Sequence, residues 1–262
     1  MCMSGAETAV GTDLCPDRAQ RELKPWEEAI ARDLAATVGC EGKRVLEIGG
    51  DLPPQHALEV LKAAHWTSLD LGVKNPIRGQ RYALIPGDAR DLPFGDESLD
   101  VVFSSCAFEH IHDFPRAVAE MKRVLRRGGE LFSCWGPIWS SATGNHVWVH
   151  YEGQLLTFNE EVLPPWAHLL CSEPELASLL ACRLPAELAA RTAHWVGHDP
   201  YLNRLFCDDY SHALDGAGFS SGSLDPWGAK HFPSSEEADR LEAAWPGKGP
   251  FHVYGLRCHA VK

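Results

Sequence analysis

A chain of 262 residues can bury a full core, either as one large domain or as a domain with an insertion. Its 45% hydrophobic and 23% charged residues are those of an ordinary globular protein, and a net charge of -12 argues against nucleic acid, whose phosphates need a positive face. Nine cysteines without a CxxC pair signal neither a disulfide framework nor a zinc ribbon, and the odd count agrees with reduced thiols. No apolar run approaches the roughly 20 residues of a membrane helix. The opening Met1-Cys2-Met3-Ser4-Gly5-Ala6-Glu7 lacks the basic and apolar regions of a signal peptide. The expectation is a cytoplasmic protein with no membrane or nucleic-acid partner; the sequence carries no oligomeric signature.

Residues 1 to about 20 are polar and aperiodic and are expected to be disordered, leaving 21–262 as a single domain. Trp26, Ile30, Leu34 and Val38 recur at helical spacing, with Gly39 as the stop. Lys43 to Ile48 is the first expected strand. It halts at Gly49-Gly50-Asp51, and a short helix carrying Leu58, Leu61 and Lys62 follows Pro53-Pro54. Further strands are expected at Trp66–Asp70, Tyr82–Pro86 and Leu99–Ser105. A helix from about Phe114 to Arg126, closing at Gly128-Gly129, leads to a fifth strand at Glu130–Trp135. The basic run Lys122-Arg123-Val124-Leu125-Arg126-Arg127 reads as a solvated helix end favoured by the macrodipole.

The rhythm then changes. Residues 136–207 are rich in Pro, Trp and His, with short helical patterns at Pro174–Ala181 and Pro185–Ala193, and read as an inserted cap over the sheet. A helix at Asp208–Ala217, a strand near Phe219–Leu224, a helix near Ser235–Trp245 and a strand at Val253–Val261 complete the chain. The fold class predicted is α/β: a doubly wound, mostly parallel seven-stranded sheet with a helical and loop insertion after the fifth strand.

Four segments carry chemistry when taken together. They are Glu47-Ile48-Gly49-Gly50-Asp51; Asp70, about 20 residues on, where a strand-end acid can accept ribose hydroxyls; Gly87-Asp88-Ala89-Arg90-Asp91-Leu92-Pro93-Phe94; and Ser105-Cys106-Ala107-Phe108-Glu109-His110-Ile111 followed by Arg123-Val124-Leu125-Arg126-Arg127-Gly128-Gly129. Each alone is weak, since a strand-end acid can be merely structural and Gly-Gly after a helix is usually a C-cap. In this order and spacing, over residues 43 to 135, the set resembles the class I methyltransferases that use S-adenosylmethionine (SAM), of the methyltransferase-domain 11 type. The last segments are similar to that family's "LEH" and "R-V-L-K-P-G-G" stretches.

The resemblance implies SAM as cofactor and a cofactor set of Glu47, Gly49, Gly50, Asp51, Asp70, Asp88, Ala89, Ser105, Cys106 and Glu109. Within it, Glu47 and Asp51 would lie near the ammonium end, Asp70 on the ribose and Asp88 on the adenine amine. The chain departs from the family where a third glycine is usual, because Leu52-Pro53-Pro54 follows Asp51. Prolines donate no backbone N–H and so limit an anion nest. SAM has no phosphates, so this departure speaks against a dinucleotide site, which wants G-x-G-x-x-G, more than against SAM.

The stretch from Trp135 to His150 mixes tryptophans, histidines and small residues where such enzymes draw substrate contacts. His146 is the first candidate base and His110 the second, with Trp139, Asn145, His150 and Arg204 as substrate contacts. The plainer reading is a loop packed on its own tryptophans. His146 and His150 with Glu152, or His194 and His198, have metal-ligand spacing without a placed third donor, so no metal site is expected. Cys106 and Cys134 are expected to be small buried hydrophobes rather than nucleophiles. The expected function is methylation of a small-molecule acceptor, foremost at oxygen. The alternatives are an N-, S- or glycan methyltransferase, or a catalytically silent SAM-binding partner protein.

Overall fold

The computed structural model describes residues 21–50 and 52–262, so the N-terminal tail and Asp51 lie outside the described residues. Five parallel strands form the centre: β1 (Arg44–Ile48), β2 (His65–Asp70), β4 (Tyr82–Pro86), β5 (Leu99–Ser105) and β6 (Leu125–Trp135). A two-residue strand β3 (Ile77–Arg78) adds antiparallel to β4 at one edge. At the other edge β10 (Gly255–Val261) runs antiparallel to β6 and to β9 (Ser221–Trp227). The order β3-β4-β2-β1-β5-β6-β10-β9 therefore contains the seven expected strands and one short extra. The chain walks outward from β1 to β4, then returns to β5 on the other flank. That reversal between β1 and β5 opens a crevice at the carboxyl ends of the strands, where open α/β sheets bind ligands.

Alternation along the central strands explains the double winding. Leu46 and Ile48 face a core shared with α2 (Phe114–Val124) and α6 (Cys207–Ala217), whereas Val45, Val101 and Phe103 face one shared with α1 (Pro25–Thr37). Strands buried on both faces read as near-continuous apolar runs, and Arg44–Ile48 and Leu99–Ser105 do. The segment after Pro53-Pro54 is one π-helical turn, His56–Val60.

One boundary differs from expectation. The helix stops at Val124, and Leu125 to Gly129 already belong to β6. Gly128, at φ +70, is a kink inside the strand rather than a helix cap, and its N–H donates to Lys262 O. The register slips between Leu99 and Val101 opposite it. Nor is the basic run a freely solvated helix end. Lys122 donates to Ala217 O, Arg123 pairs with Glu120 and Asp96, and Arg126 pairs with Asp100.

Residues 136–207 build an apolar cluster of their own from a hairpin, β7 (Trp148–Tyr151) with β8 (Gln154–Thr157), and the helices α3 (Ala167–Leu170), α4 (Glu173–Ala181) and α5 (Ala186–His198). Leu241 of α7 (Ser235–Ala244) and Phe251 join that cluster. Trp166 and Trp245 tie it down by donating to Phe251 O at 3.0 Å and Leu169 O at 2.9 Å. No helix among the described residues is long and apolar enough to cross a membrane.

Candidate cofactor and acceptor site

The end of β1 explains both glycines of the first motif. Gly49 has φ +72, donates to Leu69 O at 2.8 Å, and leaves no room for a side chain, since a Cβ there would stand 2.2 Å from that of Ala107. Gly50 is needed for another reason: a Cβ would come within 2.1 Å of Glu47 Oε1. The Glu47 carboxylate, 3% exposed, accepts from Leu52 N, from Trp66 Nε1 at 3.0 Å and from the Ser68 hydroxyl. The structure thus sets Glu47 behind the loop, on the Trp66 side of the sheet. Its bonds tie the chain just beyond the Gly49-Gly50 turn to β2. Leu52, which follows where a third glycine is usual, is the residue whose N–H it fixes.

In front of that turn lies a cleft lined by Ile48, Gly49, Asp70, Leu71, Ala89 and Ile111, among others. Asp70 ends β2 half-buried, with one carboxylate oxygen accepting from Gly72 N at 2.6 Å. Ionised carboxylates have about four acceptor positions, so capacity remains for vicinal hydroxyls. Asp88 ends the next strand's loop but is held by Arg90, which donates from Nε and Nη2 at 2.6–3.0 Å and from its backbone N–H at 2.8 Å. The Arg90 guanidinium beside Asp88 keeps its carboxyl below the usual carboxylate range. The expected contact between Asp88 and an adenine amine therefore has to be shared with Arg90. An apolar slot with acids at two successive strand ends fits an adenosyl group, with the Asp70 carboxylate toward its hydroxyls.

The cleft reaches Ala107 and His110, and the polar residues next to them are more deeply covered. After β5, Ser105 keeps a buried hydroxyl without a partner, and Cys106 takes φ +49. Burial pushes the Cys106 thiol far up, which supports its expected inert role. A 3-10 turn, Phe108–His110, then presents Glu109 and His110. Glu109 is 2% exposed; Oε1 accepts from Gly136 N at 3.3 Å while Oε2 has no partner, and burial raises its carboxyl above the usual range. His110 Nδ1 lies 3.0 Å from Tyr201 O, and its ring meets that of His146 edge-on, centroids 5.4 Å apart.

His146, at φ +45, is buried, and its Nδ1 lies 3.0 Å from Gly144 O. A carbonyl only accepts, so Nδ1 carries the hydrogen and Nε2 keeps its lone pair. Burial first, then the charge of His110, pushes its pKa down to about 3, so the ring is neutral at ordinary pH. Tyr254 stands near by and is pushed up to about 12 by burial and by Cys106 and Glu109.

The remaining sequence candidates separate into two groups. Trp139 and Arg204 come together under the cap, the guanidinium 5.4 Å from the ring centroid, and His168 packs edge-on against the same indole at 4.7 Å. Asn145 is buried and spends Oδ1 on Val147 N at 3.1 Å, shaping the loop rather than facing an open space. His150 sits on the exposed side of β7, apart from Val149, which is buried. Its spacing to His146 does not make a pair, because His146 lies before β7 and residues four apart in extended chain stand roughly 13 Å apart rather than one turn apart on a helix.

Sequence reasoning missed Asn203. Its side-chain amide donates to Phe108 O at 2.7 Å and Ile111 O at 3.1 Å, its N–H donates to Glu109 O, and Tyr210 donates to its Oδ1. It staples the cap to the turn carrying Glu109 and His110, across about 90 residues of chain that no local pattern spans.

Against known proteins, residues 59–133 match the family described as a methyltransferase domain. The phthiotriol/phenolphthiotriol dimycocerosates methyltransferase of Mycobacterium leprae is 39% identical over 107 residues, 37% of this chain and 39% of that protein. The malonyl-[acyl-carrier protein] O-methyltransferase of Xylella fastidiosa is 41% identical over 80 residues, 30% of this chain and 23% of that one. The chain thus spans well under half the length of these curated relatives. In fold it is similar to an S-adenosylmethionine dependent methyltransferase from Mesorhizobium loti, with TM-score 0.53 and 16% identity over 90% of this chain and 97% of that one.

Proposed function

Because this chain carries a class I, SAM-dependent methyltransferase domain, we propose that it methylates a small, partly apolar acceptor, at an oxygen, in a cytoplasm that keeps its thiols reduced. The observation that carries the reading is the continuity of one cleft. It runs from the Asp70 strand end, past Gly49, to His110, whose ring touches the buried His146. The bound cofactor supplies a methyl group already activated on a sulfonium. What remains for the chain is alignment, exclusion of water and control of the acceptor's proton.

Asp70 is assigned to the ribose hydroxyls, and Gly49 and Ala89 let the backbone approach. Glu109, His110 and His146 form the polar end that meets the acceptor hydroxyl, with the neutral His146 ring offering an acceptor nitrogen toward it. Trp139, backed by His168 and Arg204, is the apolar wall. Oxygen is favoured because a neutral hydroxyl is a weak nucleophile and gains most from a proton-accepting cluster, and because one relative's name is that of an O-methyltransferase.

Calorimetry with SAM and with its demethylated product tests the assignment: both should bind, and absence of binding at millimolar concentration would overturn it. Acceptors differing only in the nucleophilic atom then separate oxygen from nitrogen and sulfur. A silent SAM-binding partner protein is the second reading, favoured by the Arg90 grip on Asp88. Tight SAM binding without turnover on any acceptor would support it.

A further inference from the structure

We propose that Glu109, His110 and His146 form a binding site for a divalent transition-metal ion of the zinc class, at the acceptor end of the cleft. Each offers one ligand atom, and these atoms lie within 4.8 Å of one another. Two independent features mark the cluster as built for a cation. First, Glu109 is almost wholly buried, yet its Oε2 has no hydrogen-bond partner. A buried carboxylate oxygen without a partner is costly, so a native fold that keeps one reserves it for something.

Second, both imidazoles are set in the same way. His110 Nδ1 is held by Tyr201 O and His146 Nδ1 by Gly144 O, each at 3.0 Å. In both rings the hydrogen is thereby committed to Nδ1 and the Nε2 lone pair is free to ligate. Metal-ligating histidines usually have this arrangement, the far nitrogen donating to a carbonyl or carboxylate that fixes tautomer and orientation.

Two imidazoles and one carboxylate are a donor set suited to zinc and its neighbours rather than to calcium or magnesium, which take oxygen. Three protein ligands leave a coordination position open. Resting on the methyltransferase reading, that position would take the acceptor oxygen, with His146 then acting through the ion instead of accepting the proton itself; the O–H bond becomes more acidic there and the proton passes to solvent. Binding of the ion itself does not depend on that reading. Sequence spacing offered only His146 with His150 and Glu152, or His194 with His198, without a placed third donor, because it could not know that the turn after β5 meets the cap.

A second trio must be silenced to read the first. Glu173, His194 and His198 also cluster, but all three are exposed, and both imidazoles face the Glu173 carboxylate as ion-pair partners. The host for the experiment is therefore the full chain carrying His194→Ala and His198→Ala, stripped with a chelator. Titration with Zn2+ by calorimetry and with Co2+ by visible absorption should give one ion per chain, with a dissociation constant below about 10 µM. Glu109→Gln, His110→Ala and His146→Ala should each weaken binding at least roughly tenfold and change the Co2+ spectrum.

His110 is exposed, so its variant should fold even where a buried replacement does not, as circular dichroism will show. No binding by the host, or equal binding by a folded His110→Ala variant, would overturn the site. Calorimetry with SAM on the stripped host separates the two proposals: SAM binding without metal binding leaves the function standing and removes the ion, and the converse removes the function alone.

Discussion

The cofactor half of the cleft and the cap half are held in place by different kinds of bond. At the strand ends the ties are short turns and strand register: Asp70 to Gly72, Asp88 to Arg90, Glu47 to Leu52, and Glu47 to Trp66 and Ser68 of the paired strand. Under the cap they are long-range and run from side chain to backbone: Asn203 to Phe108, His112 to Pro200, Trp195 to His146. The first half is shaped by strand register and short turns, so it should tolerate damage to the second. The second exists only when the insertion is docked. Binding of cofactor and handling of acceptor should therefore be separable by mutation.

The sharpest break is His146→Ala. Losing the imidazole proposed to meet the acceptor should lower kcat by about 100-fold or more, the usual scale for a group that controls a transferred proton. SAM affinity, measured by calorimetry, should stay within about twofold. A parallel loss of SAM binding would show that the two halves are one unit.

Next in size is Asn203→Ala. The change removes the side-chain donor to Ile111 O, leaves Phe108 O only the 3.3 Å bond from Ile111 N, and removes the acceptor for the Tyr210 hydroxyl. Breaking such a network costs about 2–3 kcal/mol, to be read by chemical denaturation, with acceptor KM raised. An unchanged unfolding curve would mean that the cap is held by its apolar cluster alone.

Asp70→Ala tests the other half. Removing a charge-assisted acceptor of ribose hydroxyls should weaken SAM binding by about 1–3 kcal/mol while a saturating cofactor concentration restores kcat. Unchanged affinity would take Asp70 out of the site.

The same division decides what was legible beforehand. Strand positions follow from periodicity, because a parallel sheet repeats one local pattern, and the Gly49, Asp70 and Glu109 landmarks from the family resemblance that the four segments carry together. Glu47 was legible as a landmark of the motif but not in its partners. Its partners Trp66 and Ser68 come from the neighbouring strand, and only register brings Ser68 opposite Glu47. Helix and strand were confused at Leu125–Gly129 because Arg-Arg-Gly-Gly suits a helix end as well as a strand kink. In the cap, Asn203 and His168 gave no signal, nor did Tyr254 just before β10, since each acts through a partner dozens of residues away.

The smallest effect concerns His168, which anchors the cap wall by donating from Nε2 to Trp139 O at 2.8 Å. Burial pushes its pKa down from the ordinary 6.5 to about 4. The unfolded chain therefore takes up a proton below pH 6.5 that the folded chain refuses until about pH 4. The stability this group contributes is fully present above pH 6.5 and is lost progressively as pH falls through that window. His168→Gln keeps a donor for Trp139 O and cannot titrate, so its unfolding free energy should fall less between pH 7 and 4.5 than that of the parent chain. Denaturant titrations at both pH values read the difference. Because the cap carries this group and the strand ends do not, acidification should raise acceptor KM before it weakens SAM binding, and identical pH profiles for the two would erase the distinction between the halves.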